Sequence, residues 1–423
     1  MSAGLAAWLP AQRWFRSKQR PIVSVTEHDR AALGDAALVV VEVAYADGGE
    51  PDRYLLPMID EREPRDGEGA WTGIVDVMAT GASLDGANGR FVGRPWPALA
   101  GLLPGELTER RLHDEQTNTS VVIGEQMILK LYRLLEVGEN PDIEVSAFLA
   151  EAGFDDTPAL AGTLTYEFEG EPAAAAMLQA FVPSAGDAWA AMLAAVADDP
   201  QRGVALAARI GTVTARMHAA LASRPEHPAF PSRAATASET GAWRAAAEAQ
   251  LAMAVSAVSG EAHDRMVAVG PAVTARFADT FGSATGAAGV SRIHGDYHLG
   301  QLLARSDGGY SVIDFEGEPA RPLAQRRAPS SPLRDVAGML RSLDYAARTA
   351  ERTQPGFDAE AWLPEARSAF LAAHGGIGPD DAGLLAAFEL EKACYEVRYE
   401  ASNRPDWSWL PLAAVERLAS GVA

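Results

Sequence analysis

Cysteine is almost absent from this chain. The single Cys394 rules out an intrachain disulfide, and its helical surroundings mark it as a small buried apolar residue rather than a nucleophile. Long apolar runs are missing too: none reaches the ~18 residues that a membrane-spanning helix needs. The N-terminus shows no charged region followed by an apolar stretch, which predicts no secretory signal and a reducing, cytoplasmic setting. Trp8, Trp14 and Phe15 are expected to anchor the first segment onto the protein body rather than onto a membrane. Positive charge is scarce: Lys and Arg number 36 against 57 Asp and Glu, for a net charge of −21. Such a chain repels a phosphate backbone, which excludes general nucleic-acid binding and makes any polyphosphate site a local exception. No internal repeat or low-complexity tract is present, although alanine is abundant.

The 423 residues suffice for two or three domains with sizeable cores. Residues 1–95 read as strand-rich. Runs at Leu38–Ala44 and Arg53–Met58 flank a Gly48-Gly49 turn, and Trp71–Val77 continues in the same style. A Gly- and Pro-punctuated passage from Pro95 marks a boundary. Residues 96–182 are mixed, with paired strands around Gly124-Glu125, a helix from Pro141 or Asp142, and strands at Thr163–Phe168 and Ala174–Phe181. From 183 to 423 the chain is helical, and Ile210, Val213, Met217 and Leu221 recur at helical spacing. The expected class is α+β with a strand-rich N-terminal cap.

Chemistry concentrates in one stretch. His294-Gly295-Asp296-Tyr297-His298-Leu299-Gly300-Gln301 is followed by Val312-Ile313-Asp314-Phe315-Glu316. A carboxylate, an amide five positions on, and a second carboxylate ending an apolar strand form the layout of a phosphoryl-transfer centre. Leu302-Leu303 and Tyr310–Ile313 read as a hairpin around Ser306-Asp307-Gly308-Gly309, which brings Gln301 and Asp314 together. On that reading Asp296 takes a proton from a substrate hydroxyl, while Gln301 and Asp314 offer oxygens to Mg²⁺. His294 is expected to be structural. His298 is either a packed loop histidine or a substrate contact. Glu316 is a second metal ligand or a substrate contact, or the partner of Arg321 or Arg334.

Four weaker elements precede this stretch. The turn ending at Ser120 offers backbone N–H groups to phosphates, although it lacks a Gly-x-Gly. Lys130, inside an apolar strand, needs a partner such as an α- or β-phosphate, and Glu144 on the next helix can hold its ammonium as the kinase lysine–glutamate pair does. Gln179 and Phe181 lie where a strand runs into a loop whose backbone can pair with adenine, and Asp187 just beyond can reach a ribose. Singly, each has an ordinary structural explanation; their order is what makes the set specific. Together they imply ATP and Mg²⁺. A nucleotide-binding pseudokinase is the weaker reading, because Lys130, Glu144, Asp296, Gln301 and Asp314 are all retained.

Further blocks lie at Trp8-Leu9-Pro10-Ala11-Gln12-Arg13-Trp14-Phe15, Asn140-Pro141-Asp142-Ile143-Glu144-Val145, Asp314-Phe315-Glu316-Gly317-Glu318-Pro319, Ser331–Ser342 and Tyr395–Ala401. On these, the chain resembles the maltokinase-like family of actinobacteria, relatives of the aminoglycoside phosphotransferases. The resemblance covers nearly the whole chain. It implies a eukaryotic-protein-kinase-like bilobal fold: a cap at 1–95, a nucleotide-binding lobe at 96–182, and a helical lobe at 183–423 with the catalytic and sugar sites. Maltokinases make maltose 1-phosphate; a related subgroup resembles glucosamine kinases making glucosamine 6-phosphate. Two departures point to the subgroup. Arg16-Ser17-Lys18-Gln19-Arg20 stands where maltokinases commonly carry a glycine, and Arg404-Pro405-Asp406-Trp407-Ser408-Trp409-Leu410-Pro411 is longer and carries an extra tryptophan. Trp409 can stack on a pyranose and shorten the pocket.

Glu389, Glu396 and Glu400 share one helix face and suit an ammonium, unless Arg398, Arg404 and Lys392 pair with them. Asp344 and Tyr345 are further candidate sugar contacts. The expected function is phosphorylation of D-glucosamine by ATP, with maltose the alternative acceptor. The expected state is a monomer with no nucleic-acid or membrane partner.

Overall fold

The computed structural model describes residues 2–102, 107–112, 117–319 and 321–421. They form two compact units, Met1–Glu151 with Thr157–Pro183, and Ala152–Asp156 with Ser184–Ala423. Among the described residues no helix is long and apolar enough to cross a membrane.

The first unit starts with α1 (Ser2–Trp8) and a three-stranded antiparallel sheet of β1 (Ile22–Leu33), β2 (Ala36–Tyr45) and β3 (Asp52–Met58). The central strand β2 is apolar almost throughout because both faces are covered. Val39, Val41 and Val43 pack with Leu9, Trp14 and Phe15, whereas Leu38 and Val40 pack with Trp71 and Ile74. The aromatic residues of the first segment are thus core anchors.

Trp71–Val77, expected as a strand, lies in helix α2 (Ala70–Thr80). Ala70, Trp71, Ile74, Val75 and Met78 are all buried on it, a 3.6-residue period that the short apolar run had disguised. Truncating a buried ring such as Trp71 costs about 3–5 kcal/mol, far more than any strand preference of the run.

The unit continues with β4 (Ser83–Asp85), β5 (Gly89–Pro95), β6 (Glu109–Arg111), β7 (Asn118–Ile123), β8 (Met127–Tyr132), α3 (Pro141–Glu151), β9 (Leu160–Phe168) and β10 (Glu171–Ala180). Its seven-stranded sheet runs β4-β5-β9-β10-β8-β7-β6. β5 pairs with β9 from Gly89 to Pro95, so the expected boundary at 95 falls at the end of a strand that belongs to the larger sheet. β7 and β8 meet at Gly124 and Glu125, with φ of 58° and 54°; two left-handed residues make the two-residue turn that matches strand twist.

The second unit is mostly helical. It comprises β11 (Ser184–Asp187), α4 (Ala188–Asp198), α5 (Pro200–Leu221), β12 (Arg233–Ala234), α6 (Ala237–Ala257), α7 (Gly260–Ser283) and β13 (Gly289–Val290). These are followed by β14 (Leu302–Arg305), β15 (Tyr310–Val312), α8 (Leu323–Arg327), α9 (Leu333–Thr353), α10 (Ala359–His374), α11 (Pro379–Asn403) and α12 (Trp409–Ala419). Caps start several helices. Asp199 accepts the Gln201 N–H before α5, with Pro200 in its first turn, and Thr236 and Glu239 form a capping box on α6. The small sheets β12-β13 and β11-β14-β15 hold the chain on either side of residues 291–301. Helix α11 packs against α6, α9 and α12.

Candidate active site

The loop between β13 and β14 carries His294 to Gln301, and helix α9 shapes it. Asp335, in the first turn of α9, is buried, and its two carboxylate oxygens accept the N–H groups of His294 and Gly295 at 2.9 Å each. Gly338 lets the Tyr297 carbonyl lie against the helix, where a Cβ would come within 2.5 Å of that oxygen. Ser342 Oγ accepts the Leu299 N–H at 3.2 Å. Asp335, Gly338 and Ser342 stand at i, i+3 and i+7, so one stripe of α9 clamps the loop. The Tyr297 hydroxyl anchors on α5, 2.9 Å from Thr214 Oγ1. His294 Nε2 faces the Ile313 carbonyl at 2.9 Å, which ties the loop to the strand end that carries Asp314.

Asp296 projects from this loop, and Lys392 Nζ of α11 lies 3.2 Å from its Oδ1. Burial pushes the Asp296 carboxyl up, but Lys392, His298 and His294 pull it further the other way, leaving it below the usual carboxylate range. Asp296 is therefore ionised at neutral pH and able to accept a proton. Burial pulls Lys392 down, and Asp296 and Glu318 more than offset that, holding the ammonium charged.

The β14–β15 hairpin brings Gln301 and Asp314 side by side. Leu302 pairs with Val312, the Ile313 N–H donates to the Gln301 carbonyl at 3.0 Å, and Gln301 Nε2 lies 3.3 Å from Asp314 Oδ2. Asp314 has φ +67°, a left-handed conformation that costs a non-glycine residue energy and aims its side chain differently from an extended strand residue. An amide can turn its oxygen where its nitrogen was placed. A neutral oxygen beside a carboxylate is a hard-donor pair of the kind Mg²⁺ takes, so these two residues fit the ion. His298 Nδ1 accepts the Gly300 N–H at 3.0 Å and its Nε2 stands 3.5 Å from Gln301 Nε2. It thus braces the turn that presents Gln301, and it is not part of the cavity wall described next.

Asp296 opens into a cavity of about 430 Å³. Trp243 and Gln250 of α6, Arg334 of α9, and Glu391, Lys392 and Tyr395 of α11 line it. Among the described residues Gln250 Oε1 is buried there without a hydrogen-bond donor, and Glu391 Oε1 lies 3.7 Å from Arg321 Nη2. The other oxygen of Glu391 accepts from Arg334 at 2.9 Å.

Residues 8–88 match the maltokinase N-terminal cap domain, and residues 108–370 match the phosphotransferase enzyme family. The chain belongs to this phosphotransferase family. Its cap places it in the maltokinase-like branch. The glucosamine kinase of Streptacidiphilus jiangxiensis is 33% identical over 390 residues, covering 85% of this chain and 84% of that protein. The glucosamine kinase of Mycolicibacterium smegmatis is 30% identical over 421 residues, covering 93% and 98%. A solved glucosamine kinase in complex with glucosamine, ADP and inorganic phosphate superposes with a TM-score of 0.73 at 28% identity, covering 93% of each chain. The fold is therefore α+β and kinase-like, as the motif order implied.

Several expected contacts of this phosphotransferase are placed otherwise. On α11 the cavity is lined by Phe388, Glu391, Lys392 and Tyr395, a stripe at i, i+3, i+4 and i+7. Glu389, Glu396 and Glu400 lie about a third of a turn away, at 100° per residue. Arginines take them: Glu389 pairs with Arg367 at 2.7 Å, Glu396 with Arg341 at 2.7 Å and Glu400 with Arg404 at 2.5 Å. Asp344 pairs with Arg341 at 2.5 Å, and the Tyr345 hydroxyl with Glu400 at 3.1 Å. Glu396, Glu400, Asp344 and Tyr345 are thus parts of a buried ion-pair network, not wall residues. Trp409 is 43% exposed at the start of α12 and is likewise not on the wall, where Trp243 is the indole present. Arg321 pairs with Glu318 at 2.7 Å and also approaches Glu391 at 3.7 Å, and Arg334 pairs with Glu391, so none of these pairings involves Glu316, which is buried beside the Asp314 turn.

In the first unit, Lys130 Nζ donates to Asp142 Oδ2 at 2.8 Å, a carboxylate partner that sequence had not named when it chose Glu144. Asp142 and Glu144 both lie in the first turn of α3, where either suits the helix dipole. Ser120 is buried on β7 opposite Lys130. The Gln179 amide reaches Ser146 Oγ at 3.4 Å, and the Phe181 N–H donates to the Gln126 carbonyl at 2.8 Å, so that amide is committed to the protein. In the second unit Asp187 caps α4, accepting the Ala190 N–H at 2.8 Å.

Behind Asp335 stands a histidine pair that sequence reasoning missed. His218 Nε2 lies 3.0 Å from Asp335 Oδ2, and its Nδ1 lies 3.1 Å from His374 Nε2. Burial and the neighbouring His218 push His374 down to about 4. The unfolded chain then binds this proton more readily than the folded one between about pH 6.5 and 4. Stability is therefore complete above that window and lost as pH falls through it. Melting temperatures measured from pH 7 to 4.5 should fall, and the fall should be shallower in His374→Gln; equal slopes would contradict the assignment.

Proposed function

We propose that this phosphotransferase transfers the γ-phosphoryl group of ATP to the 6-hydroxyl of D-glucosamine. The observation that carries the reading is the cavity at Asp296, whose wall holds a buried acceptor oxygen, Gln250 Oε1, without a donor among the described residues, beside the Glu391 carboxylate that Arg334 and Arg321 approach at 2.9 and 3.7 Å. A buried acceptor left unpaired costs about 1–3 kcal/mol, and a ligand rich in O–H and N–H donors removes that cost. An aminosugar is such a ligand. The curated relatives that cover most of the chain are glucosamine kinases.

Charge orients the sugar. Lys392 beside Asp296 repels an ammonium, so the substrate amine sits away from the reacting end, toward the Gln250 amide oxygen. In glucosamine the C6 hydroxyl lies across the ring from the C2 amine, whereas the C1 hydroxyl is its neighbour. The layout thus favours phosphorylation at O6.

Asp296 orients that hydroxyl and takes its proton as the O–P bond forms. Phosphoryl transfer passes through a loose transition state, so fixing the hydroxyl in line contributes more than strong basicity. Mg²⁺ held by Gln301 and Asp314 would neutralise charge on the phosphates. Lys130, with Asp142 and Glu144 beside it on α3, is the candidate hold on the nucleotide. ATP as donor and an unpaired cysteine suit a cytoplasmic setting.

ADP release measured with glucosamine, glucose and maltose tests the reading. One charged hydrogen bond to the amine, about 1.5–3 kcal/mol, predicts roughly 10- to 10²-fold higher kcat/KM for glucosamine than for glucose. Phosphorus–proton coupling in the product should reach the H6 pair. Turnover of maltose alone would overturn the proposal.

A further inference from the structure

We infer that Lys392 is a second catalytic residue of this phosphotransferase: its ammonium holds one oxygen of Asp296, leaving the other for the substrate hydroxyl, and offsets the negative charge of the phosphoryl group in flight. The inference rests on the phosphoryl-transfer reading above.

The chain has only three lysines, Lys18, Lys130 and Lys392, among its 36 basic residues. Ion pairing along α11 is otherwise done by arginine, with Arg367, Arg341 and Arg404 on Glu389, Glu396 and Glu400. Those arginines bind in planar, fork-like fashion and serve structure. Lys392 differs in kind. Its ammonium is a compact point charge with three donors that turn freely, so one can stay on Asp296 while others face the cavity.

Its position supports this use. Lys392 lines the same cavity as Asp296, and the pair is part-exposed there, at 29% and 23% of side-chain surface. The Tyr395 ring, 4.8 Å from Nζ, steadies the ammonium from the side. Glu318 and Arg321 from the segment after Asp314, Glu396 on the same helix, and His294 and His298 on the loop are further charged or titratable groups facing the pair. A purely structural lysine would gain nothing from standing at the mouth of the base.

The step balances without an added reagent. The substrate O–H bond breaks and its proton passes to Asp296. The new O–P bond forms as the bond from the γ-phosphorus to the β,γ-bridging oxygen breaks, with its electrons leaving on ADP. Lys392 keeps its protons throughout and supplies only charge and position.

Steady-state kinetics of the full chain with glucosamine, ATP and Mg²⁺ test the assignment in Lys392→Met and Lys392→Arg. Loss of a charge aimed at the reacting centre should lower kcat of the methionine variant roughly 10- to 10²-fold. Both KM values should stay within about threefold, as expected for a group acting in the transition state. The arginine variant, which keeps the charge, should recover part of kcat. The acid limb of the kcat profile should move to higher pH in the methionine variant, because Asp296 then holds its proton longer. A variant kcat equal to wild type, or a loss confined to KM, overturns the role of Lys392 and leaves the sugar-kinase reading standing. A wild-type enzyme that phosphorylates no sugar overturns both. Lys392→Gln is read by the same criteria should the methionine variant melt below the assay temperature.

Discussion

Asp296→Asn should abolish sugar phosphorylation, with kcat falling on the order of 10⁴-fold, at the upper end of what general-base catalysis contributes. Asparagine keeps the size of the side chain but cannot take a proton, and it deprives Lys392 of its anionic partner 3.2 Å away. Two losses therefore coincide at one atom. The ADP complex should survive, since the proposed metal-holding pair Gln301 and Asp314 is untouched. Calorimetric titration with ADP and Mg²⁺ should give a Kd within a few-fold of wild type, and melting should shift little because the carboxylate is part-exposed. A kcat within tenfold of wild type would remove Asp296 from its role.

Asp335→Ala should produce the largest loss of stability. Three donors converge on this buried carboxylate: the N–H groups of His294 and Gly295 and the His218 ring. Truncation orphans all of them and leaves a small void. Breaking a buried charged hydrogen-bond cluster of this kind costs about 3–5 kcal/mol. For a unit of this size each kcal/mol shifts the melting point by about 2–4 °C, so a fall of roughly 6–20 °C is expected by differential scanning calorimetry. Burial opposes ionisation of Asp335, but its hydrogen bond to His218, the charge of the two histidines and the Gly295 N–H hold its carboxyl below the ordinary value of 3.8. Its contribution is accordingly present above about pH 3.8 and lost only as pH falls through the lower folded value. At neutral pH the variant should also lose kcat, since the clamp on the Asp296 loop is gone. A melting point within 2 °C of wild type would show that the loop is held by other means.

The parts of the site that could be read from the chain share one property: their geometry is local. Asp296 and Gln301 lie on one loop, and the hairpin that returns the chain to Asp314 is short and marked by Asp307-Gly308-Gly309. The turn at Gly124-Glu125 was legible for the same reason. Trp71–Val77 was misread because a short apolar run carries no period of its own, and only the core against β2 selects the helix. Two polar stripes share α11, and the chain alone could not say which of them lines the cavity. The stripe of Glu391, Lys392 and Tyr395 lines the cavity, while Glu389, Glu396 and Glu400 lie about a third of a turn away. A search for i, i+3, i+4, i+7 mixtures of aromatic and charged residues would have raised the cavity stripe.

By itself, then, the order of residues determined the reaction class and the family and singled out a candidate base and metal-type pair, because each depends on spacings of a few residues or on long matching blocks. The partners of those residues were decided only in three dimensions. Lys392 stands 96 positions from Asp296, and Asp335 stands 41 from His294. Asp142, two residues before Glu144 in the same helical turn, is a partner of Lys130 that only the fold revealed. Charges pair with whatever the packing brings within a few ångströms, and packing at that range is a property of the folded core rather than of any window along the chain.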